Sequence, residues 1–396
     1  MIRCLPQGEI DLNSFSFNTT ASIRFGFGAI VDLPSAFHLD SGSKIFIVTD
    51  PGIVQANLLG KLLSPLRAAG IAPLVYDKVI ADPPERIVWE AVESARSGIV
   101  NAVVGFGGGS SLDVAKLVAL LAKSNEQLQN IYGINQVKGE RLRLALIPTT
   151  AGTGSEVTPI AVVTTGASEK RGVISPVLLP DLALLDPELT LTLPPLVTAA
   201  TGLDAIVHAI EAYTSINTNN NPLSKILARQ ALSLLAGAIR TAVKNGSDPV
   251  ARGNMLLGSM FAGRAFANSP VAAIHALAYP LGGHYHIPHG ISNALVLPHV
   301  LQFNAGACSE AYAELATAAF PHFAEYPLGK RTFAFIEELV SLTKEVGVPQ
   351  RLRDIGVGQS QLAMLADDAM KQTRLLVNNP KPLALPDVMS IYEAAW

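Results

Sequence analysis

The sequence predicts an α/β N-terminal domain with a parallel, Rossmann-like sheet, followed by an all-helical C-terminal domain. Its 396 residues exceed the roughly 250–300 at which a single hydrophobic core usually stops growing. Short apolar runs alternate with helical patterns in the first half, as in βαβ units. Long helical periodicity replaces them from about Pro194. We therefore predict two domains, residues 1–193 and 194–396, with a cleft between them.

The predicted elements of the first half follow one another as strand, helix, strand. Strands are predicted from the apolar runs KIFIVTD (44–50), APLVYD (72–77), IVNAVVGFGGGS (99–110) and RLALIPTT (143–150). Helical patterns near 53–69, near 84–98 and from Ser110 onward connect them. In the second half, helices are predicted over 198–215, 222–244, 249–266 and 331–346. The loops that follow parallel strands are where such folds bind their ligands.

Composition favours a small-molecule partner over nucleic acid or a membrane. The net charge is -3, with 29 basic and 32 acidic residues, and neither sign forms a long run. The cysteines, Cys4 and Cys308, are too few for a disulfide framework or a thiolate metal site, which fits a reducing compartment. The N-terminus lacks the continuous apolar stretch of a secretory signal, and no segment offers about 18 clean apolar residues. We therefore expect a cytoplasmic protein.

A glycine-rich segment, VVGFGGGSSLDVAK (103–116), joins a predicted strand to a helix. Glycines such as Gly108 and Gly109 let backbone N–H groups approach an anion, and the helix opened by Ser110 adds about half a positive charge. The segment matches neither the GxGxxG fingerprint nor a Walker A loop, so a plain glycine-rich turn remains an alternative. A pyrophosphate is the ligand that this geometry suits best.

Two further loops are candidates for cofactor contacts. Asp50 ends the strand KIFIVTD, where a carboxylate can accept hydrogen bonds from a ribose diol and repel a 2′-phosphate. Asp50-Pro51 is an equally good helix opening. The segment PTTAGTGSEVTP (148–159) follows the next strand and is either a cofactor-lining loop or a turn.

Histidine placement is the strongest signal for a metal site. Five of the eight histidines lie in the charge-free stretch from Ala265 to Ser309, which should be buried. Upstream, GLDAIVHAIEAY puts Asp204 and His208 four residues apart on one helix face, where both can reach one ion. An aspartate with imidazoles suits Fe(II), Zn(II) or Co(II). The alternative is a set of hydrogen-bonded core histidines.

The motifs GGGSSLDVAK, PTTAGTGSEVT, LLDPELT, AATGLDAIVHAIEAY and HALAYPLGGHYHIPHGISNALVLPHVLQFN resemble, in order and spacing, the iron-containing (group III) alcohol dehydrogenase family. The resemblance covers nearly the whole chain and implies a dehydroquinate synthase-like fold, NAD as cofactor, Fe(2+) with Zn(2+) as an alternative, and at least a homodimer. It implies that the metal ligands are Asp204, His208, His275 and His289. The implied cofactor contacts are Asp50, Asp82, Gly108, Gly109, Ser110, Thr149, Thr150, Thr153, Thr158 and Lys170.

The implied reaction is hydride transfer between a short alcohol and nicotinamide, with the metal as Lewis acid. A lyase like dehydroquinate synthase is the rival within this fold, and a regulatory NAD-binding protein is a weaker one. Tyr279 stands where many members have a second histidine, as in the hydroxyacid-oxoacid transhydrogenase and 4-hydroxybutyrate dehydrogenase branches. A short hydroxyacid is therefore an alternative substrate. A tyrosine with an ordinary pKa of ~10 is a poor base near neutral pH, so we expect Tyr279 to position the substrate. We expect His286 or the ribose hydroxyls to pass the proton.

Arg264 is the last charged residue before the charge-free stretch. We expect it at the edge of the buried metal region, where a guanidinium needs an anionic partner. It either pairs with a helical carboxylate or extends to the surface. Alternatively, it receives a substrate carboxylate in bidentate fashion.

Overall fold

The computed structural model describes residues 14–166 and 169–396, and its N-terminal half contains two sheets. The strands are β1 (Ser22–Phe25), β2 (Ile45–Val48), β3 (Leu74–Tyr76), β4 (Ala102–Gly107), β5 (Gly133–Ile134), β6 (Arg143–Pro148), β7 (Ile160–Thr165), β8 (Glu169–Ile174) and β9 (Leu182–Leu185). Among the described residues, the larger sheet has the order β1-β9-β6-β4-β2-β3, and every pairing in it is parallel. The predicted parallel sheet is confirmed.

Both faces of the larger sheet are covered by helices, which explains the continuous apolar runs of its strands. The helices of this half are α1 (Leu33–Ala36), α2 (Pro51–Gln55), α3 (Leu59–Ala68), α4 (Glu85–Ser97) and α5 (Gly109–Lys123). Phe46 and Val103 point to the face that packs against α4 and α5. Their neighbours Ile47 and Val104 point to the other face, beneath α1 and α3. Alternate residues therefore belong to different cores.

The prediction of a single helix near 53–69 is wrong, because this segment forms two helices, α2 and α3, with a short non-helical connection between them. Asn57 has a φ of 55°, a left-handed conformation that ends a right-handed helix. Strands β1, β5, β7, β8 and β9 were not predicted from the sequence. Three of these strands form a small mixed sheet, in which β8 pairs antiparallel with β7 and parallel with β5. Thr164 N donates to Pro83 O and anchors that sheet beside the loop after β3.

The second half is helical throughout the part that the structure describes. Its helices are α6 (Pro195–Thr214), α7 (Pro222–Lys244), α8 (Pro249–Asn268), α9 (Ala273–Tyr285), α10 (His289–Asn304), α11 (Ser309–Ala319), α12 (Leu328–Glu345), α13 (Leu362–Met370), α14 (Thr373–Leu376) and α15 (Leu385–Ala395). Each of the four predicted helices corresponds to one of these. The domain boundary at 193/194 stays a prediction; it falls between the end of β9 and the start of α6.

Helix α6 occupies the centre of the helical half and packs against α7, α8 and α10. Its side chains are buried almost continuously from Thr198 to Tyr213. Helix α7 is long and apolar enough to cross a membrane, but half of its apolar window is buried inside the protein. Its inward face, including Ala231 and Leu235, contributes to the core.

Candidate active site

A cleft of about 510 Å³ lies between the parallel sheet and the helical half, and both halves line it. The sheet side contributes the loops after β3, β4 and β6 together with the small mixed sheet. The helical side contributes α6, α9, the end of α8 and the start of α10, together with α14. Carboxyl ends of parallel strands are where open α/β sheets bind ligands. The cleft therefore lies where the fold favours a nucleotide.

The N-terminus of α5 forms one wall of the cleft. Gly108 precedes the helix in an extended conformation, and Gly109 and Ser110 line the cleft. A side chain at position 109 would be blocked, because a Cβ there would lie 2.8 Å from Thr153 Cγ2. Backbone N–H groups at this helix end are thus open to an anion, and the helix dipole favours negative charge.

A buried lysine fixes the loop that faces this helix end. Lys116 Nζ donates to Ser155 Oγ at 2.8 Å, to Thr158 Oγ1 at 3.1 Å and to Ile160 O at 2.6 Å. Ser155 Oγ in turn donates to Asp113 Oδ1 at 2.5 Å. Burial lowers the pKa of Lys116. No role was predicted for Lys116 or Asp113, although both belong to the motif GGGSSLDVAK.

The predicted cofactor residues fall into two groups by position. Gly109, Ser110, Thr153, Thr158, Asp82 and Lys170 line the cleft. Lys170 Nζ, on β8, lies 2.7 Å from Asp82 Oδ1, in the loop after β3. Gly108, Thr149, Thr150 and Asp50 do not line the cleft, although they adjoin its glycine-rich wall.

Asp50 acts as a helix cap in this structure. Its Oδ1 accepts a hydrogen bond from Ile53 N at 3.2 Å, and its Oδ2 accepts one from Ser111 Oγ at 3.0 Å. Asp50 therefore opens helix α2, which was the alternative prediction for this residue. These contacts hold the carboxylate next to Gly107, where a Cβ would lie 2.8 Å from Asp50 Oδ2. Contact with a ribose stays a prediction.

Four side chains converge at the other end of the cleft: Asp204, His208, His275 and His289. The Nε2 atoms of His208 and His275 each lie 3.9 Å from Asp204 Oδ1, and His289 Nε2 lies 3.6 Å from the same oxygen. These distances are too long for hydrogen bonds. Ligands at about 2.1 Å in a tetrahedron lie about 3.4 Å apart, close to the spacing here. The ligand atoms of Asp204, His208 and His275 all lie within 4.8 Å of one another, which fits one divalent ion. His289 adjoins this group through its 3.6 Å approach to Asp204 Oδ1.

Protonation favours the same interpretation. Burial lowers the pKa of His208 to about 4 and also lowers the pKa of His289, so both imidazoles are neutral near pH 7. Burial alone would raise the pKa of Asp204, but the adjacent histidines and Asn293 hold it below its usual value. An ionised carboxylate beside neutral imidazoles is the form that binds Fe(II) or Zn(II).

Two polar side chains behind these residues, Asn293 and Glu211, were not predicted from the sequence. Asn293 Nδ2 donates to Asp204 Oδ1 at 2.7 Å and lies 3.3 Å from His289 Nε2. Glu211 Oε2 lies 2.6 Å from His275 Nδ1. Helical spacing gave a signal for both, since Asn293 is four residues after His289 and Glu211 is three after His208.

Tyr279 lines the cleft, and its ring centroid lies 5.7 Å from that of His289. Burial raises the pKa of Tyr279, so its hydroxyl is neutral and can donate a hydrogen bond but is a poor base near pH 7. His286 is not brought to the cleft. It follows the last residue of α9 with a φ of 53° and is exposed. Its position does not support the predicted proton relay.

Arg264 does not line the cleft either, so the structure does not support the predicted substrate contact. The cleft-lining residues of α8 are Phe266 and Ala267. Successive residues of a helix are rotated by about 100°, so Arg264, two residues before Phe266, lies on nearly the opposite side of α8. The residue is partly exposed, but its Nε atom is buried and has no hydrogen-bond acceptor among the described residues.

The part of the cleft beyond the histidines is mainly apolar. Its walls include Phe266, Pro270, Val271, Leu375 and Val377. Asn217 and Asn378 also line it, but Asn217 Nδ2 donates to Asn378 Oδ1 at 2.9 Å. The cations among the described lining residues are Lys170, which is paired with Asp82, and Arg374.

Comparisons with known proteins agree with this arrangement. The model of iron-containing alcohol dehydrogenases matches residues 20–187, and that of the C-terminal part of the Fe-containing alcohol dehydrogenase family matches residues 198–396. The chain is 42% identical to long-chain-alcohol dehydrogenase 1 of Geobacillus thermodenitrificans, covering 94% of each chain. It resembles the structure of a 1,3-propanediol oxidoreductase with a TM-score of 0.92 and 33% identity, covering 97% of this chain and 100% of that one. It also resembles a sulfoacetaldehyde reductase from Bifidobacterium kashiwanohense in complex with NAD+, with a TM-score of 0.85 and 27% identity over 96% and 98% of the chains.

Proposed function

The chain belongs to the iron-containing alcohol dehydrogenase family, and from that premise we propose how its cleft serves the reaction. The protein is a metal-dependent, NAD(H)-linked alcohol dehydrogenase or aldehyde reductase. We assign iron to Asp204, His208, His275 and His289, and the NAD pyrophosphate to the N-terminus of α5. The convergence of those four side chains on one cleft with that helix end is the observation that supports this assignment most strongly.

When bound, the metal and NAD supply Lewis acidity and a hydride acceptor. The residues of this chain provide the alignment. Because the imidazoles of His208 and His289 are neutral, Asp204 supplies the negative charge among these ligands. The apolar walls at Phe266 and Val271 exclude water from the substrate chain. Tyr279 faces the same space as a hydrogen-bond donor that can orient a substrate oxygen, and its raised pKa keeps it protonated.

Net turnover of cofactor tests the function. Protein stripped of metal and reconstituted with Fe(II) should reduce NAD with primary alcohols and diols, measured by absorbance at 340 nm. A lyase like dehydroquinate synthase would only recycle bound cofactor and give no net NADH. Absence of NADH formation across alcohols, diols and hydroxyacids would therefore contradict the assignment. Metal-free protein is the control.

A second, narrower proposal concerns substrates with an anionic end. Arg374 lines the apolar part of the cleft, and its guanidinium has no carboxylate partner among the described residues. Its charge acts on the pKa of Tyr279, lowering it against the larger effect of burial. One similar structure is named for a substrate, sulfoacetaldehyde, that carries a negative charge. We infer that Arg374, in place of Arg264, receives the carboxylate of a hydroxyacid.

The corresponding experiment compares 4-hydroxybutyrate with 1-butanol. Arg374→Leu should lower kcat/KM about 10- to 100-fold for the acid, because a charge-assisted hydrogen bond is lost, and change it little for the alcohol. Arg67→Leu removes an exposed cation far from the cleft and controls for general attraction of anions. Equal losses on both substrates, or a wild type that prefers 1-butanol by a wide margin, would leave neutral alcohols as the substrate class.

We also propose that the protein is a homodimer. The strand β1 lies at the edge of the larger sheet, and one side of its backbone has no strand neighbour among the described residues. Phe25, Phe27 and Val31, on and after that strand, are 41%, 48% and 63% exposed. An exposed edge with large apolar side chains is a pairing surface. Light scattering should give twice the chain mass for wild type and a single mass for Phe25→Asp with Phe27→Asp; a wild-type monomer would contradict the proposal.

A further inference from the structure

Glu211 is a buried carboxylate behind the metal-binding cluster. It lies on α6, one turn beyond His208, and is 3% exposed. Both of its oxygens are used by α9: Oε2 lies 2.6 Å from His275 Nδ1, and Oε1 accepts a hydrogen bond from Ile274 N at 2.6 Å. No lysine or arginine in the described part of the chain forms an ion pair with it. The negative charge of Glu211 is therefore stabilised by two hydrogen-bond donors at the start of α9.

We propose that Glu211 is the positioning residue of the metal site, fixing the tautomer and orientation of His275. A neutral imidazole carries one proton, and a carboxylate acceptor at Nδ1 places that proton there. The lone pair of Nε2 is then directed into the cleft, where this atom lies 3.9 Å from Asp204 Oδ1. Carboxylate–histidine pairs of this kind orient ligands in metalloproteins. The inference rests on the metal site of the proposed function.

The second contact of Glu211 explains why this position needs a carboxylate. Helix α9 begins after Ala272, which offers no side-chain cap, so the first N–H groups of α9 need acceptors from elsewhere. Glu211 supplies one for Ile274, and the positive end of α9 stabilises its charge. Two donors, Ile274 N–H and His275 Nδ1–H, thus require two acceptors at a fixed separation. A glutamate side chain provides both.

Glutamine at position 211 has nearly the same shape but only one acceptor. If its amide oxygen keeps the bond to Ile274 N–H, its NH₂ group faces His275 Nδ1. Two donors cannot face each other, so His275 changes to the tautomer that accepts at Nδ1 and carries its proton on Nε2. The apo protein then keeps both hydrogen bonds of residue 211 and loses only the long contact of 3.5 Å between Asn293 Nδ2 and His275 Nε2, but Nε2 has no lone pair for a metal. The opposite amide orientation would place NH₂ against Ile274 N–H.

The test compares wild type, Glu211→Gln and the control Glu314→Gln, whose glutamate accepts a hydrogen bond from Tyr213 on the same half of the protein. Apo protein with ¹⁵N-labelled histidine gives the tautomer of His275, assigned by the signal missing in His275→Ala. We expect Nδ1–H in wild type and control, and Nε2–H in Glu211→Gln. Titration with Co(II), followed by its absorption spectrum, should show a Kd about 10–100-fold weaker for Glu211→Gln alone.

Thermal unfolding of the apo protein and NAD binding provide the check on folding, and both should be close to wild type in Glu211→Gln. A lower apo unfolding temperature with an unchanged Kd for Co(II) would make Glu211 only a helix cap and overturn the proposal. An unchanged tautomer would do the same. If His275→Ala loses Co(II) while Glu211→Gln retains it, only this inference fails. If wild type binds no divalent metal, the proposed function fails with it.

Discussion

Gly290 lies where α10 packs directly against the backbone of α6, and these two helices carry three of the four proposed ligands. It follows His289 at the start of α10 and faces α6. A Cβ at this position would lie 1.9 Å from Ala200 O and 2.5 Å from Ala200 C, whereas ordinary contact begins near 3.4 Å. Because the obstacle is backbone, Gly290→Ala must move α10 away from α6 by about 1.5 Å, which is 3.4 minus 1.9.

That displacement acts directly on the metal site, since His289 on α10 and Asp204 on α6 face each other across the same junction at 3.6 Å. Metal ligands tolerate deviations of about 0.2 Å. We therefore expect Gly290→Ala to bind Fe(II) or Co(II) at least tenfold more weakly. Overpacking should also lower the stability of the apo protein by about 1–3 kcal/mol.

The assay is metal content after dialysis against a graded chelator, together with thermal unfolding of the apo protein. Gly237→Ala is the matched control, because Gly237 lies inside α7 and a Cβ there meets nothing within 4 Å. That variant should be stabilised by about 0.5–1 kcal/mol and bind metal normally. Wild-type metal affinity in Gly290→Ala would refute the argument that this helix contact sets the ligand geometry.

Four further predictions concern single residues. His275→Ala should lose activity and stoichiometric metal while still binding NAD, as judged by elemental analysis and calorimetry; full occupancy would remove His275 from the ligand set. Tyr279→Phe should lose less than about a thousandfold in kcat at unchanged metal content, because its raised pKa leaves the hydroxyl a hydrogen-bond donor and not a base; a larger loss would indicate direct acid–base catalysis, since positioned proton transfer is worth ~100–10,000-fold. Asp50→Gly should narrow the preference for NAD over NADP in kcat/KM, and a wild type indifferent to the two would contradict the ribose assignment. Burial raises the pKa of Glu156 to about 7, above its value in the unfolded chain. The stability that protonated Glu156 contributes is therefore fully present below about pH 4.5. It is lost as pH rises toward 7, which lowers the free energy of unfolding by about 3 kcal/mol. Glu156→Gln should therefore raise the unfolding temperature more at pH 8 than at pH 5, and an equal change at both pH values would show that Glu156 is ionised in the folded state.

Sequence periodicity predicted the parallel sheet because strands buried on both faces, such as Ile45–Val48 and Ala102–Gly107, are continuously apolar. The antiparallel pair of β7 and β8 was missed because a few buried residues, such as Val163 and Val173, are interspersed with more exposed and often polar ones. The break at Asn57 depends on one backbone conformation that composition does not encode.

The metal-ligand types could be predicted from the sequence, but the cation that reaches the cleft could not. Asp204 and His208 share a helix face, and the structure brings both to the cleft with His275 and His289. Arg264 shows the limit: its place in an apolar segment indicated burial, but which side of α8 faces the cleft depends on how the helix packs. Conversely, Arg374 lies 110 residues further along the chain and reaches the cleft only through tertiary structure.

Anomalous diffraction at the iron edge, from crystals of the Fe(II)-reconstituted protein, tests the central claim most directly. The account predicts one peak per chain, at about 2.0–2.3 Å from the Nε2 atoms of His208, His275 and His289 and from an oxygen of Asp204. A peak held by other residues, or no peak in protein that oxidises alcohols with NAD, would contradict it.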